Sequence, residues 1–192
     1  RQRNLLRFWM RRQGLPVLSI VGYTNAGKST LLNRLTHSHV AAENKLFATL
    51  DPSSRRLRFP RERDVIVTDT VGFIRDLPPE LIAGFRATLE EIHEADLLLH
   101  VVDATSPHPE EQIQSVQATL RALGLDRKPE VLILNKCDRL PPAERDGLAR
   151  GLAATPISAL EGSGIEALLE VVEPLVFPEA RTPAPRVAAR GR

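Results

Sequence analysis

One cysteine, Cys137, cannot form an internal disulfide, and a reducing, cytosolic setting is the simplest reading of that scarcity. No apolar run approaches the ~18 residues a membrane-spanning helix needs, so no membrane span is expected, and no secretory signal pattern is visible. The longest strongly apolar stretch, Leu97 to Val102, is interrupted by His100 and reads as a buried strand. There is no internal repeat. There is also no initiator methionine: the chain opens at Arg1, as would a piece of something longer, a processed protein or a deliberately shortened one.

What is present suffices for one domain with a full core. The chain has 192 residues, 42% of them hydrophobic and 26% charged, and a domain of this size buries roughly 70% of the surface its unfolded form exposes. The formal net charge is only +2, but it is unevenly spread. Arg1, Arg3, Arg7, Arg11 and Arg12 crowd one end, and Arg181, Arg186, Arg190 and Arg192 the other. Basic ends on a near-neutral body fit contact with a polyanion such as RNA. They fit a solvated helix and a flexible tail equally well.

From Val17 onward, short apolar runs alternate with helical patterns. Strands are expected at Val17–Val21, Val65–Thr68, Leu97–Val102, Val131–Leu134 and, briefly, Thr155–Ser158. Helices are expected from Lys28, over Glu80–Glu94, over Glu110–Leu123 closed by Gly124, over Ala143–Leu152 closed near Gly151, and over Ile165–Val176. Arg55–Phe59 joins Val65–Thr68 across a turn at Pro60–Arg63 too short to hold a helix, which predicts an antiparallel edge hairpin. The rest predicts an α/β, three-layer sandwich of the P-loop NTPase class, with a mostly parallel six-stranded sheet and one antiparallel edge strand. The domain would run over 17–176, after a basic segment 1–16 and before a Pro/Ala/Arg-rich tail or linker at 177–192. In such sheets ligands bind beyond the carboxyl ends of the strands, and every motif below falls at such an end.

Gly22-Tyr23-Thr24-Asn25-Ala26-Gly27-Lys28-Ser29 fits G-x-x-x-x-G-K-[ST], follows a strand and opens a helix through Thr30. Gly22 and Gly27 let the backbone wrap an anion, so that successive N–H groups and the helix N-terminus point at phosphates. Lys28 would place its charge on the β- and γ-phosphates, and the Ser29 hydroxyl would ligate Mg²⁺. A bare glycine-rich turn is the plainer reading, and the Lys-Ser pair with the correct flanks argues against it. By itself this loop does not separate GTP from ATP.

Val131–Leu134 runs into Asn135-Lys136-Cys137-Asp138, an N-K-x-D sequence. A carboxylate at Asp138 can accept hydrogen bonds from the N1–H and 2-amino group of guanine. Adenine offers neither donor, and a site of this kind can reject the wrong ligand by ~10⁴ or more. Lys136 would lay its stem over the base, and Asn135 would tie this loop to the phosphate loop. At the next strand end, the backbone of Ser158 and Ala159 would reach the guanine O6. Asn and Asp are also ordinary turn residues, so the weight rests on the combination. Cys137 reads as a small filler, and His100 as packed rather than catalytic.

Asp69-Thr70-Val71-Gly72 is a D-x-x-G sequence in which Asp69 would hold Mg²⁺ through water and the Gly72 N–H would meet the γ-phosphate. The Thr49 hydroxyl would complete the Mg²⁺ shell when a third phosphate is present, which makes two loops an order–disorder switch. Each pattern occurs by chance; their order along the chain carries the inference.

That order is the signature of translation-factor-like GTPases. Gly22–Asn33, Leu46–Pro52, Asp69–Pro78 and Phe85–Glu91 closely resemble the HflX family, over roughly Val17 to Val176. The resemblance implies a cytoplasmic GTPase that binds the large (50S) ribosomal subunit and acts in splitting or rescuing stalled ribosomes, here expected as a monomer. Family members carry a separate N-terminal domain on a long linking helix, whose end Arg1–Arg12 would be; without that domain, ribosome action would be weak or absent. Phe73 stands where many GTPases have a glutamine that orients water, so slow intrinsic hydrolysis is expected, with Lys28, Thr49 and Gly72 beside Mg²⁺ as the catalytic set. Asn25 occupies a position where some potassium-activated GTPases ligate K⁺. Two other readings stand beside this one: a GTP-dependent switch with negligible turnover, and a P-loop kinase or ATPase, against which Asp138 argues.

Overall fold

The computed structural model describes residues 15–36, 53–59, 63–69 and 92–178. Strands β1 (Val17–Gly22) and β4 (Leu97–Asp103) are buried along essentially their whole length, as strands covered on both faces must be. They pair in parallel, and β1 also pairs in parallel with β3 (Asp64–Asp69). Beyond β4 lie β5 (Glu130–Asn135) and the short β6 (Thr155–Pro156), both parallel. At the other edge β2 (Ser53–Arg58) runs antiparallel to β3, completing the order β2-β3-β1-β4-β5-β6.

Alternation along the strands divides the core between two faces. Leu97, Leu99, Val101 and Ile133 meet Leu31, Leu32 and Leu35 of α1 (Lys28–Thr36) and Leu168 and Val172 of α4 (Ile165–Val176). The next residues along, Leu98 and Leu134, turn the other way. Leu98 packs with Val116 and Leu120 of α2 (Pro109–Ala122), and Leu134 with Ala149 of α3 (Pro142–Leu152). Leu31 and Leu32 are wholly buried, and such burial contributes about 1.5–3 kcal/mol per leucine. These layers hold the sheet rigid and bring the last residues of four parallel strands, Gly22, Asp69, Asp103 and Asn135, to one rim.

Several local details differ from expectation, each for a physical reason. α3 ends at Leu152 as expected, yet Gly151 is not what closes it: Ala153 takes the left-handed conformation (φ 50°) and its N–H closes back on Ala149 and Arg150. The sixth strand stops at Pro156, since Ser158 is already in a tight loop: its N–H donates to the Ser163 carbonyl and its own carbonyl accepts from Gly162. Phe177, the first residue of the expected tail, packs edge-on against Phe59 at 5.9 Å beneath the Arg63 guanidinium and so belongs to the folded body. Of the helix expected at Glu80–Glu94, only Ile92–Glu94 lie among the described residues, and they are helical.

His100 lies mid-strand, 1% exposed, with its Nδ1 2.8 Å from Glu130 Oε1. Burial opposes the charge on Glu130, yet hydrogen bonds from His100 and Gln117 outweigh it and hold the carboxyl below its ordinary range. A lowered folded pKa stabilises above the unfolded value, near 4.5, and the benefit is lost as pH falls through the folded value. Glu130→Gln should therefore be less stable than the parent at pH 6, by about 1 kcal/mol, with the gap closing as the pH falls below the ordinary glutamate range. Urea midpoints across that range would measure it; a gap that widened in acid would mean the carboxyl is not stabilised by its partners.

Candidate nucleotide-binding site

The site begins where β1 ends. Gly22 (φ 149°) has no room for a side chain, because a Cβ would lie 2.3 Å from the Val101 carbonyl oxygen on β4. The chain then turns through Asn25 in a left-handed conformation (φ 62°) and Gly27 (φ 93°), and α1 starts at Lys28. Leu31 N–H donates to the Gly27 carbonyl at 2.9 Å, so the helical ladder opens at the loop's last glycine. Lys28 is 7% exposed, and its Nζ donates to the Tyr23 carbonyl at 2.9 Å, holding the ammonium across its own loop. Ser29 and Thr30 occupy the first turn, where the helix dipole favours an anion.

Asn135, the last residue of β5 and 2% exposed, joins three loops. Its Nδ2 donates to the Ala26 carbonyl at 2.9 Å, and its Oδ1 accepts the Ala159 N–H at 2.9 Å. Gly27 makes this possible, since a Cβ there would sit 2.3 Å from Asn135 Nδ2. Residues more than a hundred positions apart thus meet across one side-chain amide.

Lys136 adopts a left-handed backbone (φ 66°), and its Nζ donates to the Asn25 carbonyl at 2.8 Å and to Asp103 Oδ2 at 2.6 Å. Asp103, at the end of β4, also accepts the Thr105 N–H and hydroxyl on Oδ1. Burial raises the pKa of Asp103, but the Lys136 and Thr105 hydrogen bonds lower it further than that, leaving a carboxylate below its ordinary range. Sequence reasoning passed over Asp103. Its only signal was position, as the terminal residue of a strand whose neighbours all end in the site.

After Lys136 the chain makes a single 3₁₀ turn, Cys137–Arg139. Cys137 is buried, its thiol donates to the Leu134 carbonyl, and burial pushes its pKa up, so it is an inert filler. Asp138 in the same turn is exposed. Ser158 is fully buried, and its hydroxyl accepts the Glu161 N–H at 3.1 Å. Here the geometry revises expectation: the Ala159 N–H is given to Asn135 and the Ser158 N–H to Ser163. A guanine O6 would have to compete for either. Asp69 ends β3 with its backbone in register with Ile20 of β1, two residues before the phosphate loop opens. Thr49, Gly72 and Phe73 lie outside the described residues.

A strand–loop–helix cradle bound by an N-K-x-D asparagine to a third loop, at the carboxyl rim of a parallel α/β sheet, defines a P-loop GTPase domain. The family model described as "50S ribosome-binding GTPase" matches residues 17–136, and the chain belongs to that family, within its HflX branch. It is 49% identical over 179 residues to the GTPase HflX of Caldanaerobacter subterraneus subsp. tengcongensis, covering 93% of this chain and 41% of that protein. The chain thus spans about two fifths of that relative's length. Among solved structures it resembles a GTP-binding protein of Sulfolobus solfataricus in complex with GDP, with a TM-score of 0.67 and 29% identity over 93% of this chain and 58% of that one. It also resembles Era in complex with MgGDPNP and a segment of 16S ribosomal RNA, with a TM-score of 0.63 and 28% identity over 89% and 59%. Among the described residues no helix is long and apolar enough to cross a membrane.

Proposed function

We propose that this domain binds Mg²⁺-GTP in preference to ATP and hydrolyses it slowly to GDP and phosphate. The observation that carries this reading is the Asn135 amide, which holds the phosphate loop and the 158–162 loop on either side of the N-K-x-D turn. Lys28 would leave the Tyr23 carbonyl for the β- and γ-phosphates, and the amides of Gly22 to Thr30 would surround them. Asp138 would read the guanine edge under the stem of Lys136, itself held by Asp103.

Oxygen donors at Ser29, Asp69 and Thr49 suit a hard cation that keeps several waters and leans on nucleotide phosphates. Among the described residues no group of three His, Cys, Asp or Glu could hold a metal ion without such phosphates. When bound, Mg²⁺ would neutralise charge developing on the leaving phosphate oxygens. The protein's share would be positional: Lys28 would stabilise that charge, and Thr49 and Gly72 would supply a hydroxyl and an N–H toward the third phosphate. Phe73 cannot orient water, so slow turnover and stimulation by the large ribosomal subunit belong to this proposal. So do a cytoplasmic monomer and a part in ribosome splitting or rescue. The left-handed Asn25 is the candidate K⁺ ligand.

Phosphate release from GTP and from ATP, with and without 50S subunits, in K⁺ and in Na⁺ buffers, tests these points together. GTP turnover that rises with subunits and with K⁺ is expected. Equal turnover of ATP would overturn the base assignment; no turnover in any condition would leave only a GTP-binding switch; equal rates in K⁺ and Na⁺ would remove the potassium site. Asp138→Asn should move preference from guanine toward xanthine nucleotides by 100-fold or more, on the order expected when a donor–acceptor match that the bound base would cover is inverted. Competition of GDP and XDP against a fluorescent nucleotide would read it, and an unchanged ratio would mean the base lies elsewhere.

A further inference from the structure

We propose that Arg34, on the solvent side of α1, is a positioning residue for base recognition; the inference rests on the guanine-nucleotide reading above. Its Nε donates to the Ala159 carbonyl at 2.9 Å and its Nη2 to the Leu160 carbonyl. An arginine fork is suited to two successive carbonyls, because its donors are planar and fixed relative to one another. Ala159 is thereby held at both of its backbone groups, by Asn135 at the N–H and by Arg34 at the carbonyl.

Ser158 and Ala159 are buried, but beyond them the loop has little packing of its own. Leu160 is 66% exposed, so no packing fixes the residue after Ala159. Inside the loop the ties are the Ser158–Ser163 and Ser158–Gly162 backbone bonds and the Ser158 hydroxyl. Gly162 (φ 90°) faces the guanidinium, and a Cβ there would come within 3.4 Å of Cζ. Arg34 also rides on the helix that opens at the phosphate loop. One rigid helix therefore sets the distance between the groups that would meet the phosphates and those that would meet the base edge.

The test is equilibrium and stopped-flow binding of fluorescent GDP and ADP, with inorganic pyrophosphate as competitor, to the parent, Arg34→Ala and Arg34→Lys. Arg34 is exposed, so the expected loss is moderate: about fivefold weaker GDP binding in Arg34→Ala, through faster dissociation. Pyrophosphate competition should stay within twofold of the parent. Arg34→Lys, able to reach one carbonyl at a time, should fall between. GDP affinity within twofold of the parent in Arg34→Ala would overturn the proposal, and so would equal weakening of GDP and pyrophosphate, which marks general loosening. A parent protein that binds GDP no better than ADP would instead overturn the guanine reading itself, and the two failures are thereby told apart.

Discussion

Asn135→Ala is expected to lower both the stability of the nucleotide-free domain and its affinity for guanine nucleotides. The substitution strands the Ala26 carbonyl and the Ala159 N–H, on residues 1% and 2% exposed. Each buried group left without its partner costs about 1–3 kcal/mol, so an apo destabilisation of roughly 3 kcal/mol is expected. Restoring the loops on binding would draw on the same free energy, which corresponds to an affinity loss on the order of 100-fold. Asn135→Asp should do no better. It keeps the acceptor for Ala159 but turns an oxygen toward the Ala26 carbonyl. Gly27→Ala attacks the same bond from the other side, so the Gly27/Asn135 double variant should lose less than the sum of the singles. Chemical denaturation without nucleotide and titration with fluorescent GDP would measure the two losses. A variant within ~0.5 kcal/mol of the parent would show that the bridge is incidental.

The parts of this site that were legible in the sequence are those that local chemistry dictates. Gly22 and Gly27 are readable because only glycine tolerates their φ values and the close approach of Val101 and Asn135. The strands β1, β4 and β5 are readable because double-sided burial demands continuous apolar runs. Asp103 and Arg34 were not readable. Each acts through a side chain meeting a group at least 33 positions away, and no periodicity records such a contact. Gly151 misled for the opposite reason: a glycine near a helix end is the usual stop, yet the alanine two residues later bears the left-handed turn. The bonds of Ser158 and Ala159 were missed because a motif names residues without saying which neighbours already hold their N–H groups.

Lys28→Ala should separate function from fold, which Asn135→Ala does not. The Lys28 ammonium is nearly buried and answers the Tyr23 carbonyl. Truncation removes donor and charge together and leaves a carbonyl on Tyr23, a residue that water can reach. Apo stability should therefore change by less than about 1 kcal/mol. Nucleotide binding meets a different balance. Phosphate oxygens brought to the helix N-terminus lose the one charge that the motif supplies, and breaking a desolvated charge pair typically costs 2–5 kcal/mol. A fall in GDP affinity of about 400-fold is the expected middle of that range. Thermal unfolding reports both quantities in one experiment. Ligand at about 100 times its Kd adds roughly 2.7 kcal/mol to the parent, and at the same concentration it should leave Lys28→Ala almost unshifted. If GDP protected the variant as well as the parent, the phosphates would have to sit away from this loop. The convergence on Asn135 would then describe the packing of a sheet edge and not a nucleotide site.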